Sequence, residues 1–342
     1  MTDSTKSPVS SKRRFALWQG AAALSTLALA WNLAGWTQTL LSEATVLALV
    51  WLFVGGWCDF LANARRLSLG LAVGAGVALL FARDSSAFLL LPALGGSWLV
   101  ATWLGRRELA RPLAAAVAVV LLFAGVAHWG MVRGRRAELP LLNVLFHRVA
   151  PDPAALEWWR ARGLPWSADL EPFRGRYAFE RELELFRDAR HRPLREWFER
   201  EGRGLFLRFY ATHPGFVARE TARGAGDLFG SELETYVGAP PGGWLGGIDR
   251  AERSAGAGLC ALALVVALSA IRGRRLAVAD LAPLLLAGAF LIHGLAALHA
   301  DAAEPERHCF PTLVGLQLAA LLALARAVAI RTANARAAGE SA

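Results

Sequence analysis

A charged segment between two long apolar runs holds the residues of this chain that are best suited to chemistry. The segment, residues 301–308, follows an apolar run over residues 281–300 and precedes another over residues 309–330. Charge that lies close to hydrocarbon is costly to keep, so it usually serves function or anchoring. We therefore interpret the rest of the chain as a scaffold that presents this segment.

The segment combines cations and acids in the way that a phosphate site requires. Arg307 offers a planar fork of donors that matches a phosphate group, and His308 can add a donor or carry a proton. Glu304 and Glu306 stand beside them and can orient the cations. The pattern predicts a site for a lipid-linked phosphate. The alternative is an anchoring ion pair between Arg307 and one of the two glutamates.

Two further carboxylates, Glu43 and Asp84, stand in short polar stretches between early apolar runs. A carboxylate in such a loop can deprotonate an acceptor hydroxyl or hold a divalent cation. A divalent cation is thus a possible cofactor of this chain. A solvated loop position is the alternative for each residue.

Other polar residues give less specific signals. His299 is close enough to the charged segment to face a ligand, and an interfacial anchor is the alternative. Four residues of the central polar stretch are the best placed there to face a ligand, with a solvated surface position as the alternative: Asn143, Asp152, His213 and Arg219. The histidines form no recognised ligand pattern, so no histidine metal site is predicted.

The composition is typical of a helical membrane protein. Of the 342 residues, 55% are hydrophobic, the mean hydropathy is +0.36 and the formal net charge is +9. Many basic residues cluster at the ends of apolar runs, which indicates topology signals and attraction to anionic lipid rather than nucleic-acid binding. The sequence lacks a glycine-rich phosphate loop, a Gly-x-Ser-x-Gly elbow and a His-Glu-x-x-His motif. Cytosolic nucleotide chemistry, serine hydrolysis and zinc proteolysis therefore have no support.

Eight apolar runs predict an all-α polytopic membrane protein with about eight transmembrane helices and one large, mostly helical extracytoplasmic domain. The runs cover residues 15–36, 44–60, 67–81, 87–104, 112–131, 255–271, 281–300 and 309–330. A cleaved signal peptide is the alternative for the first run. The predicted parts are a tail (1–14), a membrane region with five spans (15–132), the polar domain (133–253), a membrane region with three spans (254–330) and a second tail (331–342).

Basic loops set the predicted orientation. Basic residues around Lys12, Arg65, Arg106, Arg272 and Arg331 all fall on one side of the predicted membrane. Because short basic loops stay in the cytoplasm, we expect both termini inside and the polar domain outside a bacterial cytoplasmic (inner) membrane.

The polar domain is predicted to be mostly helical. Asp152 followed by Pro153 is a typical helix start. Helices are expected over residues 154–162, 177–190, 193–201, 204–212 and 213–225. Aromatic and basic residues mix within 197–200 and 205–210, which suits helices on a membrane surface; an ordinary amphipathic packing face is the alternative.

Several short motifs carry a family resemblance. Glu306-Arg307-His308-Cys309-Phe310-Pro311 is similar to the Glu-Arg-(Tyr/His)-x-x-Pro element near late spans of GT-C-type membrane glycosyltransferases. In the polar domain, four stretches resemble, in order, the outer domain of bacterial cell-surface-glycan hexose transferases of that class. These stretches are residues 142–146, 151–153, 163–165 and 209–214.

The resemblance implies an enzyme that moves a sugar from a polyprenyl-phosphate donor to a glycan or lipid acceptor. By loop position, Glu43 would orient or deprotonate the acceptor, Asp84 would assist with a metal, and Arg307 would hold the lipid phosphate. The expected partners are the polyprenyl-phosphate sugar donor, the glycan or lipid acceptor and membrane lipid. Nucleic acid is not expected as a partner. Two alternatives stay open: an O-antigen-ligase-like enzyme, and a non-catalytic membrane protein whose outer domain binds a partner in envelope assembly.

Overall fold

The computed structural model describes residues 41–133, 138–229, 261, 264–265, 268, 277–300 and 305–339. All regular structure in these ranges is helical, and they contain no strand. The chain forms two compact units. The first comprises Met1–Ala124, Leu233–Ile292 and Pro311–Ala342, and the second comprises Gly125–Glu232 with His293–Phe310.

Four apolar helices open the described part of the chain. They are α1 (Leu41–Asn63), α2 (Arg66–Ala82), α3 (Ala87–Trp103) and α4 (Arg107–Arg133), with a 3-10 turn at Asp84–Ser86. They coincide with four of the predicted apolar runs. The turn between α1 and α2 forms where Ala64 takes a φ of +57° and the Asp59 carboxylate accepts hydrogen bonds from Asn63 and Ser68.

Seven short helices follow in the second unit. They are α5 (Glu138–Val144), α6 (Pro153–Arg160), α7 (Glu182–Arg187), α8 (Arg192–Trp197), α9 (Arg203–Thr212), α10 (Pro214–Arg223) and α11 (Ala225–Phe229). The predicted start of α6 is confirmed. Oδ1 of Asp152 accepts from the backbone N–H groups of Ala154 and Ala155, each at 3.1 Å, which satisfies two of the unpaired donors at the helix start.

The single helix predicted over residues 177–190 is wrong. The chain instead forms a 3-10 turn, then α7, then a second 3-10 turn at Ala189–His191. Asp188 has extended dihedrals, and its carboxylate accepts from the backbone N–H of Arg190 at 2.8 Å. In addition, Arg195 donates to the carbonyl oxygens of Leu185 and Asp188 at 2.7 and 2.9 Å. These side chains take over backbone groups that a continuous helix would have used.

The aromatic residues at the end of α8, just after it and in α9 form an internal packing face. This agrees with the second of the two interpretations given for this stretch, an ordinary amphipathic packing face. Trp197, Phe198, Phe206 and Phe209 are all buried in the core of the second unit. Phe206 packs against Trp159 with ring centroids 4.7 Å apart. Large buried rings contribute strongly to such a core, so these residues hold the short helices together.

Two long helices complete the chain, α12 (Val278–Ala300) and α13 (Pro305–Gly339). Four candidate membrane spans lie in the described residues, at Thr45–Asn63, Arg107–Arg133, Val278–Ala300 and Pro311–Ile330. The helices α2 and α3 are apolar but shorter. The described part is thus all-helical with four helices that could cross a membrane. The predicted runs at 15–36 and 255–271 lie outside or largely outside the described residues.

Two sets of polar side chains inside the first unit are paired. The indole N–H of Trp57 donates to the Ser97 hydroxyl at 3.1 Å, and that hydroxyl donates to the Ala93 carbonyl at 2.7 Å. Near the start of α12, Asp280 accepts from Arg326 of α13 at 2.5 and 2.7 Å. Such pairing is what an apolar environment requires of a polar side chain, because an unpaired group there is costly.

We expect the stability of the protein to fall between about pH 4.5 and about pH 2, in part because of two carboxyls of the second unit. Hydrogen bonds from Arg174 and Trp166 lower the pKa of Glu171 from 4.5 to about 2, and Arg190 lowers that of Asp188 from 3.8 to about 2. A carboxyl whose pKa is lower in the folded state stabilises above its unfolded pKa and loses this contribution as acid protonates it.

Thermal unfolding of the full chain in detergent over this pH range measures the effect. The double variant Glu171→Gln/Asp188→Asn is expected to show a shallower acid-induced fall in Tm than wild type. Glu157→Gln serves as the control. The Glu157 carboxylate lies 3.9 Å from the Arg160 cation, which is too far for the kind of hydrogen bond that Glu171 and Asp188 accept. Equal slopes for wild type and the double variant would contradict the prediction.

Candidate functional site

The charged segment, residues 301–308, follows α12 in the chain and includes the first residues of α13. Glu304 lies outside the described residues, whereas Glu306, Arg307 and His308 fall in the first turns of α13. The side chains of these three residues are also outside the described part. The flanking residues His293–Phe310 are assigned to the same compact unit as the helices α5 to α11.

The two early carboxylates have described backbones only. Glu43 lies in the first turn of α1, and Asp84 begins the 3-10 turn between α2 and α3. Their side chains lie outside the described residues, so their proposed roles stay predictions.

His299, in the last turn of α12, is bound by two helices of the second unit. The Tyr210 hydroxyl of α9 donates to the His299 carbonyl oxygen at 2.9 Å. The Thr221 hydroxyl of α10 lies 2.9 Å from Nε2 of the His299 ring and forms a hydrogen bond with it. Nδ1 is buried and has no hydrogen-bond partner in the described part of the chain. Of the two ring nitrogens, Nε2 therefore forms a hydrogen bond, whereas Nδ1 has no partner in the described part of the chain.

Arg148 completes the arrangement from the π-helical turn Leu145–Val149 that follows α5. Its Nη1 donates to the Leu298 carbonyl oxygen at 2.5 Å. The last carbonyl groups of a helix have no partner within the helix and carry partial negative charge, so a guanidinium there is favourable. We call Arg148, Tyr210, Thr221 and His299 the loop-end cluster.

The charge of Arg148 is not neutralised by the described residues. No described carboxylate forms an ion pair with the half-buried Arg148, and its bond to Leu298 occupies one of five N–H donors. The buried Glu220 pairs with Arg223 at 2.5 Å. The loop-end cluster thus presents a cation with spare donors, as an anion site requires.

Two neighbouring titratable groups, Tyr210 and His147, stay uncharged near neutral pH. Burial raises the pKa of the Tyr210 hydroxyl well above its usual range, so Tyr210 remains a donor. Burial also lowers the pKa of His147, whose Nδ1 lies 3.1 Å from the Gly175 carbonyl oxygen. Arg148 is therefore the charged group of this region with the clearest capacity to attract an anion.

Close packing fixes the ends of α12 and α13 in this unit. A Cβ on Gly224 would lie 2.6 Å from Cδ1 of Leu298, so a larger residue there would displace the Leu298 side chain. Leu298 belongs to a small buried cluster with Leu228, Ala297 and Cys309. Because Cys309 directly follows His308, this packing holds α13 in place immediately after the charged segment.

Asn143 and His213 use their polar atoms within the second unit. Asn143 is 2% exposed, and its side-chain oxygen accepts from the backbone N–H of Phe179 at 3.3 Å. The His213 ring stacks on Phe209 with centroids 4.4 Å apart, and its Nδ1 lies 2.9 Å from the Thr212 hydroxyl. Asn143 is therefore not a solvated surface residue, and neither residue is brought to the loop-end cluster by a described bond.

Asp152 and Arg219 are similarly occupied. They pair with each other at 2.7 Å, while Asp152 also caps α6. Within the described ranges, no group of three histidine, cysteine, aspartate or glutamate side chains is arranged to hold a metal ion. A divalent cation would need residues beyond the described side chains, such as Glu43 and Asp84.

Reasoning from sequence singled out His299 but missed the other members of the loop-end cluster. Arg148 lies two residues after the motif at 142–146, and Tyr210 lies within the motif at 209–214. The position of an arginine next to such a motif is the signal that could have drawn attention to Arg148. Thr221 carries no such signal, because its partner His299 is 78 positions away.

The chain matches no protein-family model, no curated protein and no solved structure.

Proposed function

We propose that the chain is a membrane glycosyltransferase that moves a sugar from a polyprenyl-phosphate donor to a glycan or lipid acceptor. The acceptor hydroxyl oxygen forms a bond to the anomeric carbon as the bond from that carbon to the phosphate oxygen breaks. The acceptor proton goes to a carboxylate, and polyprenyl phosphate leaves. Positive donors around the phosphate oxygen stabilise the charge that develops there.

One observation carries this proposal: the loop-end cluster binds the last turn of α12, which leads into the charged segment, to other parts of the second unit. Arg148 and Tyr210 bind the last turn of α12 at Leu298 and His299. A cation with spare donors therefore lies at the helix end that leads to Arg307 and His308. Cations from two parts of the chain around one phosphate would give the bidentate recognition that phosphate groups favour.

The roles of the individual residues follow from this arrangement. Arg148, Arg307 and His308 bind the donor phosphate, and Glu304 and Glu306 orient them. Glu43 accepts the proton of the acceptor, and Asp84 assists, with or without a divalent cation. Polar residues near the loop-end cluster bind the acceptor.

The proposed topology has eight spans, both termini in the cytoplasm and the second unit outside a bacterial inner membrane. Its support comes from the agreement of the described helices with the predicted apolar runs and from the one-sided distribution of basic loops. If the second unit lies on the same side of the membrane as the charged segment, the residues around that segment should belong to this unit. His293–Phe310 do belong to it.

A transfer assay in proteoliposomes with a polyprenyl-phosphate sugar tests the catalytic role of Glu43. We expect Glu43→Gln to lower kcat by about a hundredfold or more while the donor still binds, because general bases contribute about 10²–10⁴ to the rate. Glu157→Gln, an exposed carboxylate of the second unit, is the control and is expected to keep full activity. Full activity of Glu43→Gln would remove this residue from the reaction.

A second candidate is a non-catalytic protein whose second unit binds a partner in envelope assembly. The observation that favours it is the use of Asn143, Asp152, His213 and Arg219 in internal contacts rather than in an open site. This candidate predicts no transfer by wild type with any donor, whereas an O-antigen-ligase-like enzyme would transfer a preassembled glycan in the same assay.

A further inference from the structure

A groove between α2 and α4 in the first unit combines a charged end with an apolar wall. Its volume is about 850 Å³, which falls within the roughly 300–1,000 Å³ of typical ligand sites. The groove is open along one side rather than enclosed. Residues of both helices line it.

Three arginines line the charged end. Arg66 opens α2, Arg107 opens α4 and Arg111 follows one turn later. No described carboxylate pairs with any of the three, and Glu108, which also lines the groove, forms its ion pair with Arg106. The Asp59 carboxylate already accepts a hydrogen bond from Ser68 in the first turn of α2, so the excess positive charge at this end comes from the three arginines. This end of the groove attracts an anion.

The apolar part of the groove continues along both helices. Gly70 and Val73 line it from α2, and Ala116 and Val119 line it from α4. Each pair is three residues apart and therefore lies on one helix face. A Cβ on Gly70 would meet no atom within 4 Å, so this glycine leaves open space. The surface offers hydrocarbon contact directly below the arginines.

We propose that this groove binds one anionic phospholipid of the bilayer, independently of the sugar transfer. The phosphate group lies against Arg66, Arg107 and Arg111, and the upper part of one acyl chain lies along Gly70 and Val73. Charge complementarity selects the head group, and the apolar wall selects a lipid over a soluble anion. Basic pockets between transmembrane helices on the cytoplasmic side bind acidic lipid head groups in this way.

Titration of the delipidated full-length protein with phosphatidylglycerol or phosphatidylcholine of identical chains, followed by native mass spectrometry, tests the head-group selection. We expect wild type to bind phosphatidylglycerol more tightly than phosphatidylcholine. Removal of a guanidinium in Arg107→Gln or Arg111→Gln should weaken phosphatidylglycerol binding about fivefold each, the equivalent of about 1 kcal/mol per basic residue. Arg65→Gln is the matched control, since Arg65 adjoins Arg66 but does not line the groove.

Two glycines of α2 test the acyl-chain contact. Gly70→Leu fills the groove and should weaken phosphatidylglycerol binding about fivefold or more, because added volume at a filled site is unfavourable. Gly74→Leu adds the same side chain to the same helix at a position that also has open space but does not line the groove. Phosphatidylglycerol binding to that variant should stay within about twofold of wild type.

Several outcomes would overturn the proposal. They are equal affinity of wild type for the two lipids, equal losses in Gly70→Leu and Gly74→Leu, and equal losses in Arg65→Gln and Arg107→Gln. Displacement of the lipid by inorganic phosphate would assign the arginines to a soluble anion. Failure of folded wild type to bind either lipid would mean that another part of the chain covers the groove. Donor binding and sugar transfer are measured separately, so their failure leaves this result unaffected.

Discussion

Arg148→Gln is expected to weaken binding of the polyprenyl-phosphate sugar by about 10- to 100-fold. Hydrogen bonds to charged groups contribute about 1.5–3 kcal/mol each, and the variant removes a cation from the phosphate site. Glutamine retains a donor group that can reach toward the Leu298 carbonyl, which Arg148 binds in the wild type. Titration of the donor against purified protein, with bound donor counted, measures the change.

Two further variants separate charge from docking of the helix end. Tyr210→Phe removes the hydrogen bond to the His299 carbonyl and leaves every cation in place, so donor affinity should stay within about threefold of wild type. Arg208→Gln removes an exposed cation of α9 and should have no effect. If Tyr210→Phe weakened donor binding as much as Arg148→Gln, Arg148 would be assigned to docking alone.

Gly315→Ala is expected to destabilise the first unit by about 1–3 kcal/mol, the usual cost of overpacking a close-packed site. A Cβ at this position of α13 would overlap the ring of Phe290, which is fully buried in α12. The atoms involved are the rigid Cγ, Cδ1 and Cδ2 of the ring, so a small rotation cannot relieve the overlap. Small residues allow such close approach of membrane helices.

Gly288→Ala is a control variant that is expected to change the stability in the opposite direction. Gly288 lies in α12, and a Cβ there would meet no atom within 4 Å. Alanine should stabilise this helix by up to about 1 kcal/mol, as expected from helix propensity alone. Thermal unfolding of both variants in the same detergent gives the comparison. A higher Tm for Gly315→Ala than for wild type would show that α12 and α13 do not pack closely at this position.

The sequence was informative where local rules determine structure. Long apolar runs such as residues 281–300 match described helices, and Asp152 caps α6 as expected. Local rules failed where distant residues decide the outcome. The predicted helix over residues 177–190 is interrupted because Arg195 takes the carbonyl groups of Leu185 and Asp188.

The candidate site shows the same limit more strongly. Arg148 binds a backbone carbonyl 150 positions away, and a backbone carbonyl has no residue type by which it could be recognised in the sequence. The charged segment could be identified because its residues are adjacent in the chain. Its connection to Tyr210 and Thr221 could be identified only from the fold.

The most direct test of the central claim is native mass spectrometry of the protein incubated with a polyprenyl-phosphate sugar, with wild type compared to Arg307→Ala. If the charged segment and the loop-end cluster bind the donor phosphate, wild type carries one donor molecule and Arg307→Ala loses it, while Arg208→Gln retains it. A folded wild type that binds no donor, or an Arg307→Ala variant that binds it as wild type does, would contradict the proposed donor site.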